Sequence, residues 1–455
     1  MRKTLLVGVL SLTVSPLLAA RPVAAWDVVP HQRVKGTFTA GVVAFHDKAV
    51  KVQFTLNGRK FGKPVDAPTL NPRTGVEEFV LPFPAGKLCE KLGDREYTLG
   101  AKVFVEGDKP YELPALTIYA NAKGTLGSGK TIWADAENGN EFAAGDETSP
   151  VKTLARAIKM AGDGGTVYLK GGTYNLRSLG GGFDRKYWTL VTPAPGVERS
   201  SIKLMAGRPG TDKLHLKNLN LYCNVDVEEY GSIVMGEGGK TSAWFDNCNF
   251  TNLKGRHAGE AYPIGNKLVA YVTGGATYEM TTGPAAVIMR DHTVKSVVKN
   301  PVPGSSALVV NCEIDDVKPL DSSSSAEVVT SIAQYPNWAG DLIVYGLKSS
   351  GIACRVLSFR RVRDSAFVNV SFDVVTADGV YSGIADATEN LLFVNFSLPG
   401  QELKLALSEN GRGDFNPTDV VMKKCDFGVI RGCKSSDGSN GFDLRDSKVK
   451  SIMKK

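Results

Sequence analysis

A dense cation cluster, Arg360-Arg361-Val362-Arg363-Asp364, lies a short way downstream of Lys348. A basic side chain held among other positive charges gives up its proton more readily and can serve as a general base. Lys348, Arg361 and Arg363 are the candidate catalytic residues on that ground. Asp315-Asp316 is a carboxylate pair, and hard cations take oxygen donors of this kind. Asp315 and Asp316 are the candidate metal ligands, with Ca2+ as the cofactor they would hold. Tyr262, Tyr271 and Trp338 carry rings that could stack on sugars, as could Tyr278 and Tyr335. Plainer roles stay open for all of them: a solvated edge for the arginines, a turn for the aspartates, loop packing for the rings.

Other chemistries find little support. The five histidines, His31, His46, His215, His257 and His292, never fall at metal-ligand spacing. There is no Gly-x-Ser-x-Gly nucleophile elbow. Thr125 to Lys130 mimics part of a phosphate loop but lacks the first glycine and a preceding buried strand. The formal net charge of +7 is spread among acids, which suits a solvated surface or an acidic polymer and gives no reason to expect a nucleic-acid partner. Seven cysteines, an odd count at wide spacings, are not a disulfide framework. Cys248 and Cys312 sit in apolar strand patterns and read as buried thiols, whereas Cys425 and Cys433 could pair.

The elements that position these residues fall into four stretches. Residues 1–25 read as a signal peptide: Arg2 and Lys3, then the apolar run Leu5 to Ala19, then Val23-Ala24-Ala25 as the cleavage tract before Trp26. No later segment is long and apolar enough for a transmembrane helix. A secreted or periplasmic monomer is the expectation. Residues 26–122 alternate with period two in short runs. Val50 to Leu56 leads into Asn57-Gly58, a tight hairpin signal, and further strands are expected at Glu77 to Phe83, Tyr97 to Val105 and Leu113 to Ala120. This predicts a small antiparallel β-sandwich. The runs Val-Gln-Phe-Thr-Leu-Asn-Gly and Tyr-Thr-Leu-Gly-Ala-Lys-Val loosely resemble immunoglobulin-like modules of exported bacterial proteins. Residues 123–131, with three glycines, read as a flexible linker.

The fourth stretch, 132–455, opens on an ordered series. Ile132-Trp133-Ala134-Asp135 is followed by Thr148-Ser149-Pro150-Val151-Lys152-Thr153-Leu154, then Ala157-Ile158 and Ala161. Gly162-Asp163-Gly164-Gly165-Thr166-Val167-Tyr168-Leu169 and Gly171-Gly172-Thr173-Tyr174 close it. Ser149 with Pro150 suits a helix start, and Leu154, Ala157, Ile158 and Ala161 form one apolar helical face. A helix over 150–161 would plug an open strand tier. This series resembles the opening motif of the pectate-lyase-like parallel β-helix superfamily. The resemblance implies an all-β chain: a right-handed parallel β-helix with an N-terminal capping helix, preceded by the sandwich.

Downstream a weak repeat recurs: Asn, apolar, any, apolar. It appears at Asn218, Asn247, Asn311, Asn369 and Asn395, with Lys424 in the same slot. Asparagine suits a left-handed turn before a strand. Stacked turns can align such asparagines into a hydrogen-bonded ladder, with the second and fourth residues pointing inward. The intervals from Asn247 to Asn311 and from Asn311 to Asn369 are roughly double the others, so each should hide one degenerate copy or an insertion. Asp291-His292-Thr293-Val294 and Gly346-Leu347 are the candidates.

For function, the resemblance implies an exported protein that binds or degrades an acidic polysaccharide. A polysaccharide lyase would use Lys348, Arg361 or Arg363 as base, and Ca2+ on Asp315 and Asp316 would stabilise the enolate. A non-catalytic carbohydrate-binding or cell-surface protein is the rival. A glycoside hydrolase is the third reading, weakened by the lack of Gly-His-Gly beside the aspartates. Convergence of Lys348, Arg361, Arg363 and the aspartate pair on one groove would separate them.

Overall fold

The computed structural model describes residues 21–176, 185–205, 213–223, 241–252, 268–273, 277–278, 286–290, 293–294, 306–310, 313–315, 339–340, 342–350, 356–360, 362–372, 381–385, 389–406, 418–431, 442–445 and 448–453. Strands dominate and helices are few, so the chain is all-β, with antiparallel sheets early and parallel sheets after them.

The antiparallel part consists of two sheets. In the first, Thr37–Phe45 pairs with Val23–Trp26 on one side and Glu77–Pro84 on the other. In the second, Arg95–Val105 lies between Val50–Leu56 and Leu116–Ala120. Alternate side chains of both sheets, among them Trp26, Val42, Phe83, Phe54, Leu99 and Ile118, fill one core. The hairpin after Leu56 turns at Asn57 and Gly58, φ 49° and 76°, as its Asn-Gly signal predicts. The helix Ala85–Leu92 had no counterpart in the strand pattern. It buries Ala85 and Cys89 and ends at Gly93, φ 72°.

The N-terminal boundary differs from the expectation. Val23, Ala24 and Ala25, assigned above to a leader over 1–25, form a strand with Trp26 that pairs residue by residue from Val23–Phe45 to Trp26–Val42. The stretch 123–131, read as a flexible linker, is tied down. The Asp94 carboxylate accepts from the backbone N–H groups of Lys123 (2.9 Å) and Thr125 (2.8 Å). Arg33 donates to the carbonyls of Leu126 (3.0 Å) and Gly164 (2.6 Å), bridging the two parts of the chain. A Cβ at Gly129 would stand 2.0 Å from the Gly165 nitrogen, so only glycine permits that approach.

From Thr131 onward every strand pairing among the described residues is parallel. Tiers repeat one plan. Where both corners are described, four residues of main strand run between two left-handed corners, and a second strand follows. Lys213, Asp364 and Asn390 precede main strands, and Asn218, Asn247, Asn369 and Asn395 end them; all lie between φ 49° and 54°. Lys424 (54°) and Gly346 (69°) occupy the same slot. The asparagine ladder is present: Asn247 donates to Asn218 (2.8 Å) and Asn395 to Asn369 (2.9 Å). The residue after each corner points inward, and Leu219, Cys248, Leu347, Val370, Phe396 and Cys425 are at most 1 % exposed. Cys312 lies outside the described residues. The interval from Asn247 to Asn311 holds two tiers rather than one, because Thr277 pairs with Thr293 and Thr293 with Glu313.

The helix Leu154–Ala161 buries Leu154, Ala157, Ile158 and Ala161 at the start of the parallel sheet. It begins later than Ser149-Pro150 suggested. Val151 is held extended, its N–H donating to Trp133 and its carbonyl accepting from Asp135. Thr153 is therefore the N-cap, accepting from the Arg156 N–H at 3.2 Å.

One register column, outward in the early tiers, runs along the sheet. It runs through Thr131, Thr166, Leu190, His215, Trp244, Tyr271, Ile288, Leu308, Ile343, Ala366, Leu392, Val421 and Asp443. In the later tiers Leu308, Ile343, Ala366 and Leu392 are buried against Val23, Val43 and Val76 of the antiparallel part. Val23–Trp26 and Thr37–Phe45 thus bury both faces: Ala24, Trp26 and Val42 inward, Val23 and Val43 onto the parallel sheet.

Candidate functional site

The early tiers leave their outward face half-exposed, and two columns of side chains stand there. In Thr131–Ala134 and Thr166–Leu169, Ile132, Ala134, Val167 and Leu169 are buried. Alternation therefore turns Trp133 and Tyr168 outward. They are register partners, with ring centroids 5.1 Å apart, and Thr192 follows Tyr168 in the column. Lys170 reaches over the Trp133 ring at 6.0 Å. Leu214–Lys217 and Thr241–Asp246 continue the face in the same way. His215 pairs with Trp244, and Lys217 with Asp246.

The His215 and Trp244 rings stack at 3.8 Å, 4° from parallel. His215 Nε2 lies 3.4 Å from the Asp246 carboxylate, and Lys217 Nζ lies 3.0 Å from the same oxygen. Burial pushes the imidazole below its ordinary value, against the opposing pull of Asp246. Burial acts to raise Asp246, but hydrogen bonding and charge from His215 and Lys217 bring it down to about 2. The lowered imidazole is neutral at neutral pH, and it and the Asp246 carboxylate can accept hydrogen bonds from hydroxyls, with the Lys217 side chain beside them. Trp188 packs edge-on to Trp244 at 5.9 Å and donates its indole N–H to the Pro30 carbonyl at 2.7 Å, closing one side of the face.

The residues singled out by chemistry are placed differently. Arg363 is exposed and precedes the corner at Asp364, in register with Gly340 and Glu389. Lys348 is exposed and follows the corner at Gly346, in register with Glu313 and Ser371. A main strand of four residues, Leu342–Tyr345, separates the two positions, a span of roughly 13 Å. Lys348 and Arg363 are not brought together. Asp315 stands level with Ser350, two positions along from the partner of Lys348. Arg361, Asp316, Tyr262 and Trp338 lie outside the described residues. Tyr271 is register partner to Trp244, so its strand position extends that column. Among the described residues no group of three or more His, Cys, Asp or Glu side chains is arranged to hold a metal ion, and no helix is long and apolar enough to cross a membrane.

Trp133, Tyr168, His215, Trp244 and Asp246 were not selected from the sequence. A signal was available. The step of 29 residues that carries Asn218 to Asn247 also carries His215 to Trp244 and Lys217 to Asp246. No protein-family model matches the chain, and no curated protein is similar to it at a significant level.

Proposed function

We propose that this is an exported protein whose parallel tiers form a right-handed β-helix that binds an acidic polysaccharide along the outward face of its early tiers. The carrying observation is the pair of outward columns, Trp133–Tyr168–Thr192 and His215–Trp244, with Lys170 and Lys217 beside them. Parallel strands repeat about every 4.8 Å, so equivalent positions form a track for an extended chain rather than a pocket for a small molecule. Half-exposed rings suit the apolar faces of sugar rings, and the lysines suit uronate carboxylates. The left-handed corners, the asparagine ladder and the helix at the sheet's start support the β-helix reading, as does the resemblance at 132–174. The separation of Lys348 from Arg363 favours binding over elimination at those residues. Titrating the protein with uronate polymers and a neutral glucan, followed by tryptophan fluorescence, tests this. Trp133→Ala and Tyr168→Ala should each weaken uronate binding about tenfold, the scale of one lost ring contact. Equal affinity for the neutral glucan, or unchanged affinity in both variants, would sink it. Appearance of unsaturated product in the same mixtures would restore the lyase reading.

A further inference from the structure

The first described residues are built into the molecule on three sides. Val23–Trp26 pairs along its length with Val42–Phe45. Ala24 and Trp26 enter the core of the antiparallel part, while Val23, 2 % exposed, packs with Ile343, Ala366 and Leu392 of the parallel sheet. Just upstream, the Arg21 guanidinium lies 2.9 Å from the Asp364 carboxylate and 4.6 Å above the centre of the Tyr111 ring. The Arg21 carbonyl accepts from Asn390 Nδ2 at 3.1 Å, and the same amide donates to Asp364 Oδ1 at 2.7 Å. Asp364 and Asn390 are themselves left-handed corners of successive tiers, φ 50° and 51°. Arg21 therefore joins the ladder of one corner column and touches the antiparallel part through Tyr111.

A cut before Trp26 would remove Val23, Ala24 and Ala25 from a strand buried on both faces, together with the Arg21 contacts. Ala19-Ala20 places small residues immediately before Arg21 at the end of the apolar run from Leu5, with Leu18 in the third position before the bond, the region where a leader cleavage site falls. We propose that the leader is removed by hydrolysis of the Ala20–Arg21 peptide bond, which releases Ala20 as a carboxylate and leaves Arg21 as the new amino terminus. The mature chain then begins with the residue that fastens the antiparallel part to the tier corners. The proposal rests on the exported reading given above.

The test is to express the whole chain, Met1 to Lys455, with a C-terminal affinity tag in a bacterium that exports by the general secretory route. Tagged protein is recovered from the periplasm and from the cytoplasm, and its first residue is read by N-terminal sequencing and intact mass. Arg21 as the first residue of the periplasmic form is the expected result. Trp26, or any other first residue in that fraction, overturns the proposed bond while leaving export intact. Protein found only in the cytoplasm with Met1 retained overturns the leader reading, and the proposed bond with it.

Discussion

Leu214–Lys217 and Leu342–Tyr345 belong to the same parallel sheet and differ in what covers them. In the first, Leu214 and Leu216 are buried, while the side chains of His215 and Lys217 are 13 % and 44 % exposed. In the second, Leu342, Ile343 and Val344 are all buried. His215 and Ile343 stand in one register column, so the change reflects their surroundings and not their orientation. Early tiers leave part of their outward face open to solvent. Later tiers press theirs against Val23, Val43 and Val76. Strands buried on both faces read as continuous apolar runs, whereas strands with one covered face alternate. The runs at Leu342, Ala366 and Leu391 thus signal a second packing partner.

The largest effect should come from breaking that cover. Ile343→Asp places a charge between two apolar surfaces and should cost several kcal/mol. Thr166→Asp, in the same column on the open face, should cost about 0.5 kcal/mol. Denaturant melts of both variants beside the parent make the comparison, and equal losses would show the two faces to be alike. A similar contrast holds at the start of the sheet. Ile158, 1 % exposed, should tolerate aspartate at a cost of several kcal/mol, while exposed Lys152 should lose about 0.5 kcal/mol or less.

The antiparallel side of the contact carries a pH dependence. Glu78 is buried two residues from Val76. Burial is the main cause that pushes its carboxyl up to about 8; the Asp27 charge adds, and hydrogen bonds from Thr74 (2.6 Å) and Asn71 (3.2 Å) oppose. Arg73 donates to the Asp27 carbonyl at 2.6 Å beside the pair. Because the folded state holds this proton more tightly than the unfolded state, its contribution is full below the ordinary glutamate range. It is lost as pH rises toward about 8. Urea melts from about pH 5 to 9, the window in which this carboxyl titrates, should show stability falling with pH. Glu78→Gln should flatten the slope, and an equally steep slope in that variant would assign it to another group. A small effect is expected at the corners. Asn395→Ala removes one ladder bond and a residue tolerant of positive φ, at about 1 kcal/mol, with no effect on the open face.

Much of this architecture was legible in the residues. Asn57-Gly58 marked its hairpin, Leu154, Ala157, Ile158 and Ala161 marked the buried helical face, and the asparagine repeat marked the corners and the inward residue after each. What escaped depends on distant partners. Val23-Ala24-Ala25 is small and apolar whether it ends a leader or fills a strand, and only pairing with Phe45 and contact with Ile343 separate the two. The start of the helix moved to Thr153 because Val151 is held by Trp133 and Asp135, contacts that propensity ignores. The early aromatic face was hidden because Trp133, Tyr168, His215 and Trp244 are close only when tiers stack. Lys348 precedes the arginine cluster by about one tier of chain, and two corners and a strand part it from Arg363.

The antiparallel part covers the outward face of the later parallel tiers. The most direct measurement compares the chain from Arg21 with one beginning at Gly124, by sedimentation velocity and binding of a hydrophobic dye. The shorter chain, with Leu308, Ile343, Ala366 and Leu392 uncovered, is predicted to self-associate and bind dye while the longer chain stays monomeric and does not. A shorter chain that is monomeric, dye-silent and cooperatively folded would contradict the account.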